Sequence, residues 1–320
     1  MLKEIKKIED FKNIESFAKK ILASPYRFIK EYPSHVHQEH LLKKWQSSIG
    51  SEKNLFLVSE DSVCTVDHSI FDSEAFGKKS GILNLFHSVK KSQKESDKLI
   101  KEATRWADEN NFSFLQTRID AQNIVGIRAL ENNKFNYADI VLRSIFTYEE
   151  GITHEIYGIK SKTNVRLAEK KDFEKILNIA KKIFKNSRFH KDPNFPDGFA
   201  EKIHESWVEK SLNQERGFCF VSEENNSLCG FFTAAFDNEI NEHSSDKLIR
   251  FELSAVLPMR RASTIWLDLL NAVVRHGYSK GGKFFEGRPQ AYNYQILQRQ
   301  MKVPPKYLKA EMALHRMKNK

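Results

Sequence analysis

The stretch from Leu248 to Lys302 constrains the fold more than any other part of the chain. It opens with a strand-like run, Leu248 to Pro258, that breaks at a proline and the pair Arg260-Arg261. Apolar residues at helical spacing then run from about Ala262 to His276. Gly277, Gly281 and Gly282 form a turn signal before a second strand, Lys283 to Arg288. A helix containing Gln290, Asn293, Ile296 and Leu297 comes next. Strand, basic turn, helix, strand, helix presents a helix N-terminus to an anion, because first-turn N–H groups lack partners and the helix dipole is positive there. The pattern predicts an α/β domain.

Earlier in the chain the same alternation recurs. Residues 1–50 read as helices, with Phe11, Ile14, Phe17, Ala18 and Ile21 at helical spacing. Strands at 55–59, 63–67 and 82–86 precede a helix over 95–109, a strand at 112–119, a helix over 123–132 and a strand at 138–148. Glu149 to Lys162 reads as a linker, so a first domain spans 1–150 and a second 163–320. In the second, strand 164–168 and helix 171–184 precede the loop 186–196 and a helix over 197–212, for which Asp197 is the expected N-cap. Strands at 218–222 and 229–236 flank Asn225-Asn226, a hairpin signal, and the last strand is 308–316.

A length of 320 residues suits two domains. The charged N-terminus lacks the apolar core of a secretion signal, and no apolar run nears the ~18 residues of a membrane span, so the expected location is the cytoplasm. Cys64, Cys219 and Cys229 have no CxxC spacing, and His35, His37 and His40 lack a flanking acidic or cysteine ligand set of known spacing, so no metal is expected. The net charge of +10 reads either as a Lys-rich solvated surface or as attraction to phosphorylated ligands. Nucleic acid is not expected, since basic residues interleave with acids and neither zinc-finger spacing nor an aromatic RNA-binding stripe occurs.

Two segments repeat. Arg118-Ile-Asp-Ala-Gln-Asn123 and Arg288-Pro-Gln-Ala-Tyr-Asn293 share their Arg-to-Asn spacing, and each comes after an aromatic-rich strand and precedes a helix. The halves therefore read as two copies of one fold. The first lacks a proline-basic turn after its central strand and is assigned a structural or cleft-wall role.

The segment Val256-Leu-Pro258-Met-Arg-Arg261-Ala262-Ser-Thr264-Ile-Trp266 resembles the pyrophosphate-loop signature of the GNAT N-acetyltransferases, Val-x-Pro-x-x-Arg-Gly-x-Gly-x-Gly. Asn293 matches the asparagine that opens the family's next helix. Across nearly the whole chain the likeness is to dTDP-fucosamine acetyltransferase-like enzymes, through Asp72–Gly77, the Ser187–Pro196 loop, Trp207 and Glu209. The resemblance implies two GNAT-like domains, each a mixed, largely antiparallel sheet flanked by helices, the first incomplete. It also implies acetyl-CoA or another acyl-CoA as co-substrate, a nucleotide-linked amino sugar as acceptor, and leaves a homodimer open. Ala255, Val256, Arg260, Arg261, Ala262, Ser263, Thr264, Ile265 and Asn293 are then the cofactor-binding candidates. Ser187, Arg188, Phe189, His190 and Trp207 are the substrate-binding candidates.

Ala262, Thr264 and Trp266 stand where the family has glycines, so Trp266 has to point into the core. Gln300 stands where the family often has an acidic tyrosine, with Tyr292 and Tyr294 as substitutes. These departures motivate the alternative of a catalytically relict fold used for binding or assembly; acyl transfer to a protein or peptide amine is a third option. If the chain is an enzyme, Glu252, Ser254 and Val256 alternate onto one face of the central strand, making Glu252 the candidate base and His190 the second.

Overall fold

The computed structural model describes residues 2–11, 14–20, 24–60, 62–87, 92–148, 164–185, 187–258, 264–300 and 304–318. Two compact units are present: Met1–Leu142 with Gln290–Tyr294 and Lys309–Lys320, and Arg143–Pro289 with Gln295–Leu308. The expected linker lies outside the described residues.

The first half of the chain runs β1 (Lys3–Glu4), α1 (Ile14–Lys20), α2 (Ser34–Ile49), β2 (Leu55–Val58), β3 (Ser62–His68), α3 (Ile70–Phe76), β4 (Ser80–His87), α4 (Gln93–Glu109), β5 (Phe114–Asp120), α5 (Ile124–Asn132) and β6 (Asn136–Thr147). The second half runs β7 (Asn164–Leu167), α6 (Phe173–Ile183), α7 (Arg188–Lys191), α8 (Phe199–Asn213), β8 (Gly217–Glu224), β9 (Ser227–Phe236), β10 (Lys247–Val256), α9 (Ile265–Ser279), β11 (Gly282–Gly287), α10 (Tyr294–Gln300) and β12 (Tyr307–Met317).

In the first unit β1 to β4 pair antiparallel in sequence, β4 pairs parallel with β5, and β5 pairs antiparallel with β12. In the second, β7 to β10 pair antiparallel in sequence, β10 pairs parallel with β11, and β11 pairs antiparallel with the end of β6. The two strand orders match position for position, as the Arg-to-Asn repeat implied. Each sheet finishes on a strand from the other half of the sequence. In each, a parallel step needs a crossover helix, and α4 and α9 supply it.

Each core is built on its sequence patterning. Leu99, Ile100, Ala103 and Ala107 line one stripe of α4 and pack on Leu55, Cys64, Val66 and Leu83 of the sheet. Ser92 starts that helix by accepting a hydrogen bond from the Glu95 N–H. In the second unit α9 covers one sheet face through Ile265, Trp266, Leu269 and Val273, while α6 and α8 cover the other through Ile176, Ile179, Ala180 and Val208.

Some boundaries depart from expectation. Asp72–Gly77, to which the sequence pattern assigns no element, forms most of a helix, α3, capped by Ser69, with Gly77 closing it at φ 69°. The expected Asp197 cap is displaced by Gly198, whose φ of 79° suits glycine and turns the chain into α8. The Asn225-Asn226 hairpin forms, with both residues in the left-handed region at φ 50° and 61°. His37 and His40 pack edge-on against Tyr32 and Tyr26.

Candidate functional site

The parallel ladder between β10 and β11 runs only from Lys247↔Gly282 to Arg250↔Glu286. On its other edge β10 stays paired with β9 as far as Val256↔Gly230. Beyond Arg250, therefore, among the described residues β10 keeps β9 as its ladder partner and has none in β11. Ala255 and Val256 lie on this diverging stretch, both buried, on opposite faces of the sheet.

At the vertex lies a charge cluster that sequence reasoning missed. Glu286, with no exposed surface, accepts from Arg143 Nε at 2.5 Å and from Arg288 at 2.7 Å. Burial pushes its carboxyl up, but Arg288 and Arg143 more than offset this and hold it down at about 2. A signal was present: a lone charge within Phe-Phe-Glu-Gly, or within the apolar run of β6, is almost never buried unless paired. Arg250 pairs with the buried Asp237, its Nε 3.4 Å from Oδ2, and not with Glu252.

Glu252 stands two residues past the last β10–β11 pair, and here the alternation read from the sequence fails. The β9–β10 register slips between Phe251 and Leu253, a β-bulge that turns one extra residue. Phe251 stays on the α9 side, edge-on to Phe232 and stacked near Phe285. Glu252 instead turns to the α8 side, where its Oε2 accepts from Ser211 Oγ at 2.7 Å and Gln214 Nε2 at 2.6 Å. Ser254 returns to the α9 side, where its Oγ accepts from Trp266 Nε1 at 3.1 Å. Glu252 therefore does not share a face with Ser254 and Val256.

Trp266 is 5% exposed and lies against Phe232 of β9, at 5.9 Å between ring centroids, so its indole points into the core as its position requires. Thr264 and Ile265 mark the start of α9, where Thr264 Oγ1 donates to Asp268 at 2.9 Å. Arg260, Arg261, Ala262 and Ser263 lie outside the described residues. Asn293 is exposed, precedes α10 and belongs to the first unit, as does Tyr294, which is also exposed.

The five substrate candidates do come together, at the other end of α8. Ser187 caps α7, its Oγ 2.9 Å from His190 Nδ1. Phe189 packs on Phe195, Phe199 and Trp207, and Arg188 lies over the Phe189 ring with only 6% of its surface exposed. His204, which sequence reasoning overlooked, joins them between His190 and Trp207. Burial lowers the proton affinity of both histidines; Glu201, 3.7 Å from His190 Nε2, partly opposes this. Glu201 and Ser211 are ten residues apart on α8, about 15 Å of helix. The two candidate bases, Glu252 and His190, thus occupy separate places.

No family model and no curated protein matches the chain. Solved structures do. A GCN5-related N-acetyltransferase from Sphaerobacter thermophilus is 11% identical with a TM-score of 0.62, over 99% of this chain and 95% of that one. A tandem GNAT protein from the clavulanic acid biosynthesis pathway is 9% identical with a TM-score of 0.59, over 99% and 98%. A functionally unknown conserved protein from Staphylococcus epidermidis is 11% identical with a TM-score of 0.55, over 82% and 93%. No helix among the described residues is long and apolar enough to cross a membrane. At these identities the likeness is one of architecture, and the architecture is that of two GNAT-like domains in tandem.

Proposed function

We propose that the protein is an N-acyltransferase that moves an acetyl or other short acyl group from acyl-CoA to the amine of a nucleotide-activated amino sugar. One observation carries this reading. The parallel strands β10 and β11 part at Arg250↔Glu286, and the first acidic side chain beyond that point, Glu252, is bulged out of the sheet's alternation. A gap between the two strands would offer an extended thioester carrier the β10 backbone beyond the ladder's end, beside Ala255 and Val256. Arg260, Arg261, Ala262 and Ser263, with Thr264 and Ile265 at the start of α9, would hold the carrier's diphosphate.

In the proposed reaction a neutral amine attacks the thioester carbonyl. A C–N bond forms, the C–S bond breaks, Glu252 takes the proton lost by nitrogen, and the departing thiolate is protonated by solvent. This reading is supported by the two hydrogen bonds that Glu252 receives among the described residues, both from neutral donors. His190 and the Phe189–Trp207 cluster would form the far wall of the acceptor cleft. Arg188 is committed to that wall, stacked on Phe189, so it acts there by shape.

A CoA-release assay tests the proposal against dTDP- and UDP-amino sugars, free amino sugars and peptide amines, with calorimetry for acetyl-CoA. Turnover with nucleotide-linked sugars is the expected result. Turnover with peptide amines alone overturns the acceptor class. No release with any amine, together with no acetyl-CoA binding, overturns acyl transfer itself.

A further inference from the structure

Two donors from one helix end converge on a single oxygen of Glu252. Ser211 Oγ reaches Oε2 at 2.7 Å and Gln214 Nε2 reaches the same atom at 2.6 Å, while Gln214 Nε2 also lies 3.4 Å from the Ser211 carbonyl. Among the described residues, both hydrogen bonds to this carboxylate fall on Oε2. The carboxylate is therefore fixed in rotation with Oε1 left to meet a proton.

Gly217, the first residue of β8, explains how Gln214 is kept there. Its backbone conformation is not one that favours glycine; the left-handed glycines among the described residues are Gly77, Gly198 and Gly281. The absence of a side chain matters instead. A Cβ at 217 would sit 2.4 Å from Gln214 Cγ and 2.9 Å from both Cδ and Nε2, so the glutamine is folded back over the glycine. The Gly217 N–H donates to the Gln214 carbonyl at 3.1 Å and closes the same turn.

We propose that Ser211, Gln214 and Gly217 are positioning residues for Glu252: the first two lock Oε2, and the third makes room for Gln214, so that Oε1 faces the acceptor amine. This rests on the acyl-transfer reading above. None of the three touches substrate in this scheme. Their effect on the reaction passes through the orientation of one carboxylate, which fits the sensitivity of such steps to small misplacements.

The test is steady-state kinetics of the full chain with its best amine acceptor and acetyl-CoA, for the wild type, Ser211→Ala, Ser211→Thr, Gln214→Ala, Gly217→Ala and the double variant Gln214→Ala/Gly217→Ala. Ser211→Ala and Gln214→Ala are expected to lower kcat about tenfold each, with KM for acetyl-CoA within about twofold. Ser211→Thr keeps a hydroxyl and is expected to recover most of the loss. Gly217→Ala is expected to match Gln214→Ala and to add nothing in the Gln214→Ala background, since both act on one contact. Thermal unfolding of each variant accompanies the kinetics. Folded variants with wild-type kcat, or additive losses from Gly217→Ala and Gln214→Ala, overturn the positioning roles while leaving acyl transfer standing. A wild type that releases no CoA with any amine overturns the reading beneath them.

Discussion

The two units run through the same strands in the same order, yet the strand before the parallel step is regular in one and bulged in the other. In the first unit β3 and β4 pair without a slip from Ser62↔His87 to His68↔Gly81, whereas β9 and β10 slip at Glu252. The parallel ladder β4–β5 also stops early, at Ile82↔Gln116, so the parting of strands is common to both. Past that point the two units diverge. In the first, His87 Nε2 lies 2.9 Å from Ser96 Oγ, and its Nδ1 lies 3.1 Å from Asn123 Nδ2, a buried cluster tying the end of β4 to α4 and to the cap of α5. Their carboxylates differ too. Asp67 receives Ser48, Thr65 and Asn84, with both its oxygens engaged, while the hydrogen bonds to Glu252 fall on one oxygen. Duplicating a fold thus duplicates the early end of the parallel ladder but not the groups beside it: the hydrogen bonds to Asp67 engage both its oxygens, and those to Glu252 engage one, the difference on which its proposed role rests.

The sharpest way to break that contrast is to remove each charge in turn. Glu252→Gln is expected to lower kcat by about 10²–10⁴-fold with little change in unfolding temperature, because it removes a proton acceptor and keeps the shape. Asp67→Asn is expected to do the reverse, costing about 1–3 kcal/mol of stability through its disrupted donors and leaving kcat near wild type. Kinetics and urea unfolding of the pair decide it; similar kinetic losses for both would erase the distinction.

The ends of the two parallel ladders supply a second contrast. Gln116 in the first unit donates to Asp72 at 2.6 Å, whereas Glu286 in the second answers two arginines. Removing one member of a buried ionic cluster leaves uncompensated charge, so Glu286→Gln is expected to cost about 3–5 kcal/mol, against about 1–3 kcal/mol for Gln116→Ala. Glu286 also sets a pH window. Its folded carboxyl sits at about 2, below the ordinary 4.5, so its contribution is present above about 4.5 and is lost as pH falls toward 2. Urea midpoints measured from pH 5 to pH 2 should fall more steeply for the wild type than for Glu286→Gln.

These contrasts also mark how far the sequence could be read. Element order and the repeat were legible, because 3.6-residue periodicity in α4 and α6 and the paired Arg118–Asn123 and Arg288–Asn293 spacings are local signals. The exchange of β12 and the end of β6 was not, since strand partners are chosen by packing far along the chain. The geometry of the candidate site was legible in part. Glu252 stood out as a carboxylate on a central strand, but a single-residue bulge reversed the face it was assigned to, and nothing in Phe-Glu-Leu-Ser announces a bulge. Ser211 and Gln214 were invisible because their meaning lies in a contact made 38 to 41 positions away.

Histidines divide the units by degree. In the first, His37 is lowered to about 4, chiefly by burial and then by Arg27 and His40. In the second, His190 and His204 are lowered by burial within the aromatic cluster. A histidine whose folded value lies below its unfolded value, about 6.5, binds its proton more readily when unfolded, so the neutral ring favours folding above about 6.5 and that advantage is lost as pH falls. Allowing for the partial exposure of His37, the loss between pH 6.5 and pH 4 is on the order of 1 kcal/mol. Urea midpoints for His37→Gln and His204→Gln across that range should each lose part of the wild-type slope, and an unchanged slope for either removes that ring from the account.

The smallest effect concerns backbone alone, and it too separates the units. Lys134 closes α5 at φ 66°. The Phe135 N–H bonds to the Leu130 carbonyl and the Lys134 N–H to that of Glu131, with Phe135 buried, which is the Schellman arrangement that glycine favours. In the second unit the comparable left-handed positions, Asn225 and Asn226, already carry the side chain that best tolerates this region after glycine. Lys134→Gly is therefore expected to stabilise by about 1 kcal/mol, since it relieves the contact between Cβ and the carbonyl. Asn226→Gly should gain only a few tenths, because asparagine bears little of that strain and glycine adds entropy to the unfolded chain. Thermal unfolding resolves the ordering, and a larger gain from Asn226→Gly than from Lys134→Gly would show that the hairpin, not the helix end, carries the greater backbone strain.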